Sequence, residues 1–129
     1  VLFRSLFDLG ADLATPIDGL EAPGSKLRIL PHQTLRLEAA IDDFNEHLAP
    51  LNSFVLPGGS PLAAALHLAR TITRRAERDA VSLLMLEPQR VSPETVRYLN
   101  RLSDLLFVMS RAANDNGATD TLWKPGANR

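Results

Sequence analysis

The stretch that decides the fold class of this chain is SPLAAALHLARTITRRAERDAVSLLML, residues 60–86, because it predicts one long helix. Ser60 is a favourable N-cap residue, and Pro61 suits the first helical position. A Gly-Gly pair at 58–59 supplies a turn before them. We therefore expect a helix that begins at about residue 60 and ends at about Leu86.

This helix is predicted to separate an apolar face from a charged face, since successive residues turn by about 100°. The apolar face, which we expect to pack on the core, comprises Leu62, Ala65, Ala69, Ile72, Ala76, Ala80 and Leu83. The charged face comprises His67, Arg70, Arg74 and Arg78, and Glu77 lies at its margin. The two faces lie on roughly opposite sides of the helix.

The basic residues of the helix are all arginines, at positions 70, 74, 75 and 78, and it contains no lysine. One interpretation is a solvated charged face. The other is an anion site, because the planar guanidinium fork suits phosphate and carboxylate groups. Glu77 follows Arg74 by three residues, where it can orient the guanidinium or take part in a metal or nucleotide site.

Three further helices are predicted, at about residues 5–14, from Pro31 to Pro50, and from Ser92 to Asn116-Gly117. An apolar stripe on the second comprises Leu37, Ile41, Phe44 and Leu48. A seam on the last comprises Leu99, Leu102, Leu106, Met109 and Ala113. Long helices, short links and the lack of a strand pattern predict an all-α fold, an antiparallel helical bundle.

The last helix also carries a polar stripe of Asn100, Asp104 and Arg111, with Phe107 beside it. Asparagine is a poor residue for a helix interior, so Asn100 requires a partner. Two readings remain open here. Asn100 is either exposed with a local bond to Asp104, or part of a binding site.

Composition limits the function classes. A chain of 129 residues with 45% apolar residues forms one domain, 1–129. Its formal net charge of −1 argues against a nucleic-acid partner. It has no cysteine, and His32, His47 and His67 lack a metal-ligand spacing, so no metal site is expected. No segment reaches membrane-span length and no cleavable signal is visible, so we expect a cytoplasmic protein without a membrane partner.

The two ends of the chain carry separate expectations. Residues 1–5 match the translation of a common sequencing adapter, and we expect them to be an assembly artefact. Residues 117–129 are expected to form a loose, flexible tail. Trp123 in this tail is interpreted as a packing anchor and not as a ligand contact.

Four stretches resemble the PduO-type ATP:cob(I)alamin adenosyltransferases in order, spacing and residue type. They are FVLPGG at 54–59, HLAR at 67–70, RRAER at 74–78 and YLNRLSDLLF at 98–107. The resemblance implies a five-helix bundle that assembles as a homotrimer, with ATP at the subunit interface and the corrinoid nearby. Only four helices are predicted here. We therefore expect that the family's first helix and its Thr-Lys-x-Gly-Asp loop are missing from this chain, which would impair its activity.

The resemblance also implies residue roles. Arg74, Arg75, Glu77 and Arg78 resemble the ATP-binding segment, and Asn100 resembles a further nucleotide contact. Arg70 resembles an arginine that pairs with an acidic residue of the neighbouring subunit. Phe54 resembles the aromatic that displaces the axial base of the corrinoid, and Asp104 resembles a residue that supports the site.

The reaction implied by the resemblance transfers the 5'-deoxyadenosyl group of ATP to cob(I)alamin, giving adenosylcobalamin and tripolyphosphate. Cobalt(I) is the nucleophile, so the protein has to supply positioning and stabilisation of a polyanionic leaving group. ATP with Mg²⁺ and cobalamin are the implied ligands. A corrinoid reductase and adenosylcobalamin-dependent enzymes are the implied partners. The alternatives are a non-catalytic ATP- or polyphosphate-binding bundle and a structural bundle that oligomerises through its charged faces.

Overall fold

A computed structural model of the chain describes residues 2–127, and within them it contains four helices. They are α1 (Leu2–Leu13), α2 (Pro31–Asn45), α3 (Pro61–Leu86) and α4 (Pro93–Ala112). Between residues 2 and 127 the only β pairing is an isolated bridge from Val55 to Leu122. The all-α prediction is confirmed. Val1 and positions 128–129 lie outside the described residues, so the expectations for those positions concern a part that is not described.

The start of α3 agrees with the sequence, because Ser60 Oγ accepts a bond from the Ala63 amide at 3.1 Å. The predicted ends of α2 and α4 are wrong. α2 ends at Asn45, before Pro50, and α4 ends at Ala112, before Asn116. After Ala112 the backbone turns, and Asp115 and Asn116 have positive φ angles of 54° and 48°. Asp and Asn tolerate this left-handed conformation, which ends a helix.

The helices α2, α3 and α4 alternate in direction along the bundle. Thr34 at the start of α2 donates to Glu94 at the start of α4 at 2.5 Å, so these two helices are parallel. The amide of Ser60, which precedes α3, donates to Asn114, which follows α4, at 2.9 Å. α3 is therefore antiparallel to both of its neighbours in the chain.

α4 is the central helix of the bundle, and it supplies most of the buried apolar core. Six of the ten buried residues of the core cluster belong to it: Tyr98, Leu99, Leu102, Leu105, Leu106 and Val108. α2 and α3 pack on α4 from different sides. The stripe on α2 behaves as predicted, because Leu37 is buried and Ile41, Phe44 and Leu48 pack against the same cluster.

The predicted core face of α3 is wrong. Ala80 is buried and Ala69 is half-buried, but Leu62 and Ile72 are 62% and 50% exposed. Also exposed are Ala65, Ala76 and Leu83. Three residues of the charged side, His67, Arg70 and Glu77, are buried or half-buried instead, and His67 is 4% exposed. One physical reason is that α4 offers partners to that side, Asn100 as a hydrogen-bond donor to Glu77 and the Phe107 ring as a surface for Arg70.

The connection from α1 to α2 is fixed by a buried carboxylate. Asp12, 3% exposed, accepts bonds from the Arg28 guanidinium at 2.9 Å and from the Ile29 amide at 2.8 Å. Arg28 also pairs with Glu21, and these bonds together raise the pKa of Arg28. The long connection is thereby held against the end of α1.

The turn that leads into α3 is locked by Asn114. Its side chain accepts from the Ser60 amide and donates to the Gly58 carbonyl at 3.1 Å. Gly59 has a φ of 101°, and a Cβ atom there would lie 2.2 Å from Asn114 Oδ1. This position therefore requires glycine both for its backbone conformation and for the close approach of the amide.

Substitution of this glycine tests the lock. We expect Gly59→Ala to lower the free energy of unfolding by at least about 2 kcal/mol, because backbone strain and the clash with Asn114 add together. Urea unfolding measures the change. Gly10→Ala is the matched control, since Gly10 lies in α1 with open space around it, and it should leave stability unchanged or increased. Equal stability of the two variants would contradict the lock.

Candidate active site

Three arginines of α3, Arg74, Arg75 and Arg78, are exposed. Within this group, the Arg78 guanidinium donates to the backbone carbonyl of Arg74 at 3.3 Å. Their guanidinium groups therefore keep most of their donors available to solvent. Several such groups on successive turns of one helix suit a ligand that carries several negative charges.

Glu77 and Asn100 connect α3 to α4. The Asn100 amide donates to Glu77 Oε1 at 2.8 Å, and its oxygen accepts from the Arg101 guanidinium at 2.6 Å. Arg101 also pairs with Asp104 at 3.3 Å. The reading of Asn100 as an exposed residue bonded to Asp104 is therefore wrong, because its partner lies on another helix. The contact observed for Glu77 is likewise Asn100 and not Arg74.

A cavity of about 490 Å³ opens beside this pair of residues. Its walls come from three helices and comprise Thr34, Glu38, Glu77, Val96, Arg97, Asn100 and Arg101. Both the carboxylate of Glu77 and the amide of Asn100 thus border open space. A ligand in this cavity would be within reach of the two side chains that join α3 to α4.

Arg70 lies deeper in the contact between the helices. Its guanidinium carbon sits 5.0 Å from the centre of the Phe107 ring, a cation–π geometry. Burial lowers the pKa of Arg70, the charge of Arg74 lowers it further, and Asp104 opposes both effects. Its Nε atom is buried without a hydrogen-bond partner among the described residues.

His67 lies one turn before Arg70 and is buried. Burial lowers its pKa, the charge of Arg70 adds to that shift, and Asp120 acts in the opposite direction. Its Nε2 atom has no hydrogen-bond partner within residues 2–127. The lowered pKa favours the neutral form of the imidazole. The sequence placed His67 on an exposed charged face, and only its tertiary position shows that it is buried.

A second cavity, of about 540 Å³, lies between α2 and the second half of α4. Its lining is mostly apolar and comprises Ile41, Asn45, Leu48, Ala49, Pro50, Leu51, Asp104, Phe107, Val108 and Arg111. Asp104 and Phe107 thus separate this cavity from the polar contact of α3 with α4. Its size suits part of a large apolar ligand.

Arg111 does not join the polar stripe that the sequence suggested. It is buried, donates to Asp120 at 2.9 Å and to the Ala49 carbonyl at 3.1 Å. Asp120 also accepts from Asn114 at 3.2 Å. These residues tie the segment after α4 to the loop after α2. Sequence reasoning missed Asn114 and Asp120, because Asn114 bonds to Ser60 and Gly58 far away in the chain and Asp120 lies in an irregular segment without a local pattern.

Phe54 lies in the loop before α3 and is 75% exposed. Its ring centre is 5.9 Å from that of Trp123, with the ring planes at 60°. The reading of Trp123 as a packing anchor agrees with this contact. The expectation of a loose tail is wrong at residues 121–122, because both contact the loop before α3. The Thr121 carbonyl accepts from the Leu56 amide at 2.7 Å, and Leu122 forms a β bridge with Val55.

The residues singled out from the sequence thus fall into two groups. Glu77, Asn100 and the exposed arginines lie together near the middle of α3. Phe54 precedes the start of α3, and Arg74 lies about 20 Å further along the helix at 1.5 Å per residue. The molecule therefore presents a polycationic surface and an aromatic loop at separate places along one helix.

The sequence of this chain matches a known protein family. Residues 2–113 match the cobalamin adenosyltransferase family. The chain belongs to the cobalamin adenosyltransferase family. The match includes residues 2–5, which the sequence analysis expects to be artefactual. It ends before Trp123, so the family match does not cover that residue.

Individual relatives agree with this membership. The chain is 54% identical over 127 residues to the corrinoid adenosyltransferase of Mycobacterium tuberculosis, covering 98% of this chain and 64% of that protein. It is 41% identical over 111 residues to the corrinoid adenosyltransferase of Bacillus subtilis, covering 86% and 54%. The chain therefore spans less than two thirds of the length of these relatives.

Solved structures show the same fold. A phenylalanine-to-alanine variant of the PduO-type ATP:corrinoid adenosyltransferase from Lactobacillus reuteri, complexed with cobalamin and ATP, superposes with a TM-score of 0.82 at 38% identity, covering 95% of this chain and 66% of that one. An arginine-to-lysine variant of the same enzyme, complexed with ATP, gives 0.81 at 39% identity, covering 95% and 67%. No helix within residues 2–127 is long and apolar enough to cross a membrane.

The depressed pKa of His67 predicts a pH-dependent stability. The unfolded chain takes up a proton near pH 6.5 that the folded chain resists, so the free energy of unfolding should fall as pH drops below about 6.5. The His67 contribution has a limiting slope of about 1.4 kcal/mol per pH unit. Urea unfolding between about pH 7 and pH 5 measures it as the difference between wild type and His67→Gln.

The matched control is His47→Gln, because His47 is exposed on the loop after α2. It should keep the pH dependence of the wild type. If His67→Gln also keeps that dependence in full, the neutral imidazole is not the cause.

Proposed function

We propose that this chain carries out the adenosyl transfer of its family, from ATP to the cobalt of cob(I)alamin. The observation that carries the proposal is the arginine surface of α3 beside the Glu77–Asn100 bond, found in a chain that matches the family over residues 2–113. The ATP and cobalamin complexes of the Lactobacillus reuteri relative support the ligand classes.

In this proposal Arg74, Arg75 and Arg78 bind the triphosphate of ATP. The three guanidinium groups are exposed, so a phosphate chain can reach them and accept charge-assisted hydrogen bonds from them. Glu77 and Asn100 contact the nucleotide from the polar cavity that they border. Mg²⁺ would bind together with ATP, coordinated by phosphate oxygens, since this ion is often held by substrate phosphates and few protein ligands.

The corrinoid is assigned to the aromatic loop before α3, and Asp104 and Arg70 are assigned supporting roles. Phe54, with its ring exposed in the loop before α3, would press on the lower face of the corrin and displace the axial base. Asp104 supports the site from α4 through its bond to Arg101. Arg70 would pair with an acidic residue of a neighbouring subunit and already lies against Phe107.

The chemistry needs no nucleophile from the protein. The cobalt(I) lone pair attacks the 5' carbon of ATP, a cobalt–carbon bond forms, and the carbon–oxygen bond to the triphosphate breaks with its electron pair. Tripolyphosphate leaves. The chain's contribution is to hold both substrates in line and to stabilise the negative charge of the leaving group, which is the role of the exposed arginines.

Assembly and cellular context belong to the same proposal. A homotrimer is supported by the exposed apolar residues of α3, including Leu62, Leu68 and Ile72, which a neighbouring chain could cover. A corrinoid reductase would supply cobalt(I), and adenosylcobalamin-dependent enzymes would receive the product. The proposed location is the cytoplasm.

The function is tested with a chimera in which this chain replaces the matching 127 residues of the Mycobacterium tuberculosis relative. With chemically reduced cobalamin and ATP, the chimera should form adenosylcobalamin and tripolyphosphate, and the relative itself is the positive control. A folded chimera that binds ATP without forming product would contradict the transferase and favour the non-catalytic ATP-binding bundle.

Arg74 provides the specific prediction for ATP. Loss of a charge-assisted bond to a phosphate costs roughly 1.5 to 3 kcal/mol, so Arg74→Ala in the chimera should lower kcat/KM for ATP at least about tenfold. Arg36→Ala is the matched control, because Arg36 is an exposed arginine on α2. Steady-state kinetics with ATP varied compares them, and equal kcat/KM in the two variants would remove Arg74 from the ATP site.

A further inference from the structure

The role proposed for Phe54 requires other residues to hold its ring in one orientation. Phe54 is 75% exposed in a loop, and an exposed aromatic side chain samples several rotamers. The role proposed for it requires the ring to face a metal centre in one orientation, since small misplacements are costly at a reacting centre. The loop backbone alone does not determine that orientation.

Trp123, in the segment after α4, contacts Phe54 and can hold its ring. Its ring lies against Phe54 at 5.9 Å in a tilted geometry that aromatic pairs prefer. Its amide donates to the Phe54 carbonyl at 2.8 Å, and its carbonyl accepts from Ser53 Oγ at 2.7 Å. Backbone and ring contacts therefore join the two residues directly.

The segment that carries Trp123 is itself anchored. Asp120, three residues earlier, accepts from Arg111 and Asn114, and its side chain is 1% exposed. Asn114 in turn holds the turn at Gly58. The loop with Phe54 and the segment with Trp123 are thus fixed to the same end of α4, so their relative position is set by the fold.

We propose that Trp123 is a positioning residue that holds the Phe54 ring in the orientation it needs against the corrin. The inference rests on the proposed function for the cobalt role of Phe54, but the contact itself does not. The proposal is drawn from the contacts of Trp123 in this chain and not from the family model, whose match ends at residue 113.

The first measurement needs no ligand. The chain is labelled with fluorophenylalanine, and the Phe54 signal is assigned by its loss in Phe54→Ala. Trp123→Ala should shift and sharpen that ¹⁹F signal, because the ring current and the restraint are removed. Leu122→Ala is the matched control, since Leu122 and Trp123 are 40% and 43% exposed and adjacent side chains of an extended segment point to opposite sides. An unmoved Phe54 signal in Trp123→Ala overturns the proposal.

The second measurement adds cob(II)alamin and ATP to the chimera with the Mycobacterium tuberculosis relative and follows the axial nitrogen by electron paramagnetic resonance. Trp123→Ala should lower the ratio of base-free to base-on cobalt about threefold, the fold-change that one aromatic pair corresponds to. Trp123→Phe should recover most of it. Adding Trp123→Ala to Phe54→Ala should change nothing further. A merely structural role would instead lower the melting temperature and leave the ratio in the folded fraction unchanged, which overturns the proposal.

The two measurements separate the possible failures. If the ¹⁹F signal of Phe54 depends on Trp123 while the chimera without substitutions produces no base-free cobalt in the presence of ATP, the cobalt role in the proposed function is wrong and the inference fails with it. If that chimera produces base-free cobalt and Trp123→Ala matches Leu122→Ala, only the positioning role is wrong.

Discussion

The contact between α3 and α4 is the constraint on which the other features depend. It is made by small and polar residues, with Ala63 and His67 buried near one end and the Glu77–Asn100 bond near the middle. Buried polar groups require partners in a fixed geometry, whereas apolar faces tolerate small rotations. This contact therefore sets the rotation of α3 about its own axis more sharply than a leucine seam would.

That rotation determines where the chemistry lies. It brings Glu77 to the polar cavity, stacks Arg70 on Phe107 and leaves the next arginines exposed at the edge of the contact. It also leaves large apolar side chains of α3 on the surface. The end of α4 extends the same constraint to the aromatic loop, because Asn114 fixes the turn before α3 and Asp120 fixes the segment that carries Trp123.

Local signals were sufficient for much of the fold. Ser60 and Pro61 fixed the start of α3, since capping depends on the nearest residues. The ends of α2 and α4 were misplaced, because no proline or glycine stood at the true ends.

The side of α3 that packs on α4 was predicted wrongly for a different reason. Hydrophobic periodicity assumes that apolar residues pack inward, and here the inward side carries the buried His67 and also Glu77, whose hydrogen-bond partner Asn100 lies on α4. The cluster of site residues was predicted from the arginines and the family resemblance. The role of Asn114 could not be predicted, since its bonds to Ser60 and Gly58 join parts of the chain that are far apart in sequence. The role of Asp120 could not be predicted either, because its bonds to Arg111 and Asn114 lie in an irregular segment without a repeating pattern.

A double-mutant cycle on Glu77→Ala and Asn100→Ala tests the constraint most directly. Urea unfolding of the wild type, the two single variants and the double variant gives the coupling free energy between the two residues. The account predicts a favourable coupling of at least about 0.5 kcal/mol, because each side chain loses its partner across α3 and α4 when the other is removed. Additive effects, equal within about 0.3 kcal/mol, would contradict a polar contact that sets the rotation of α3.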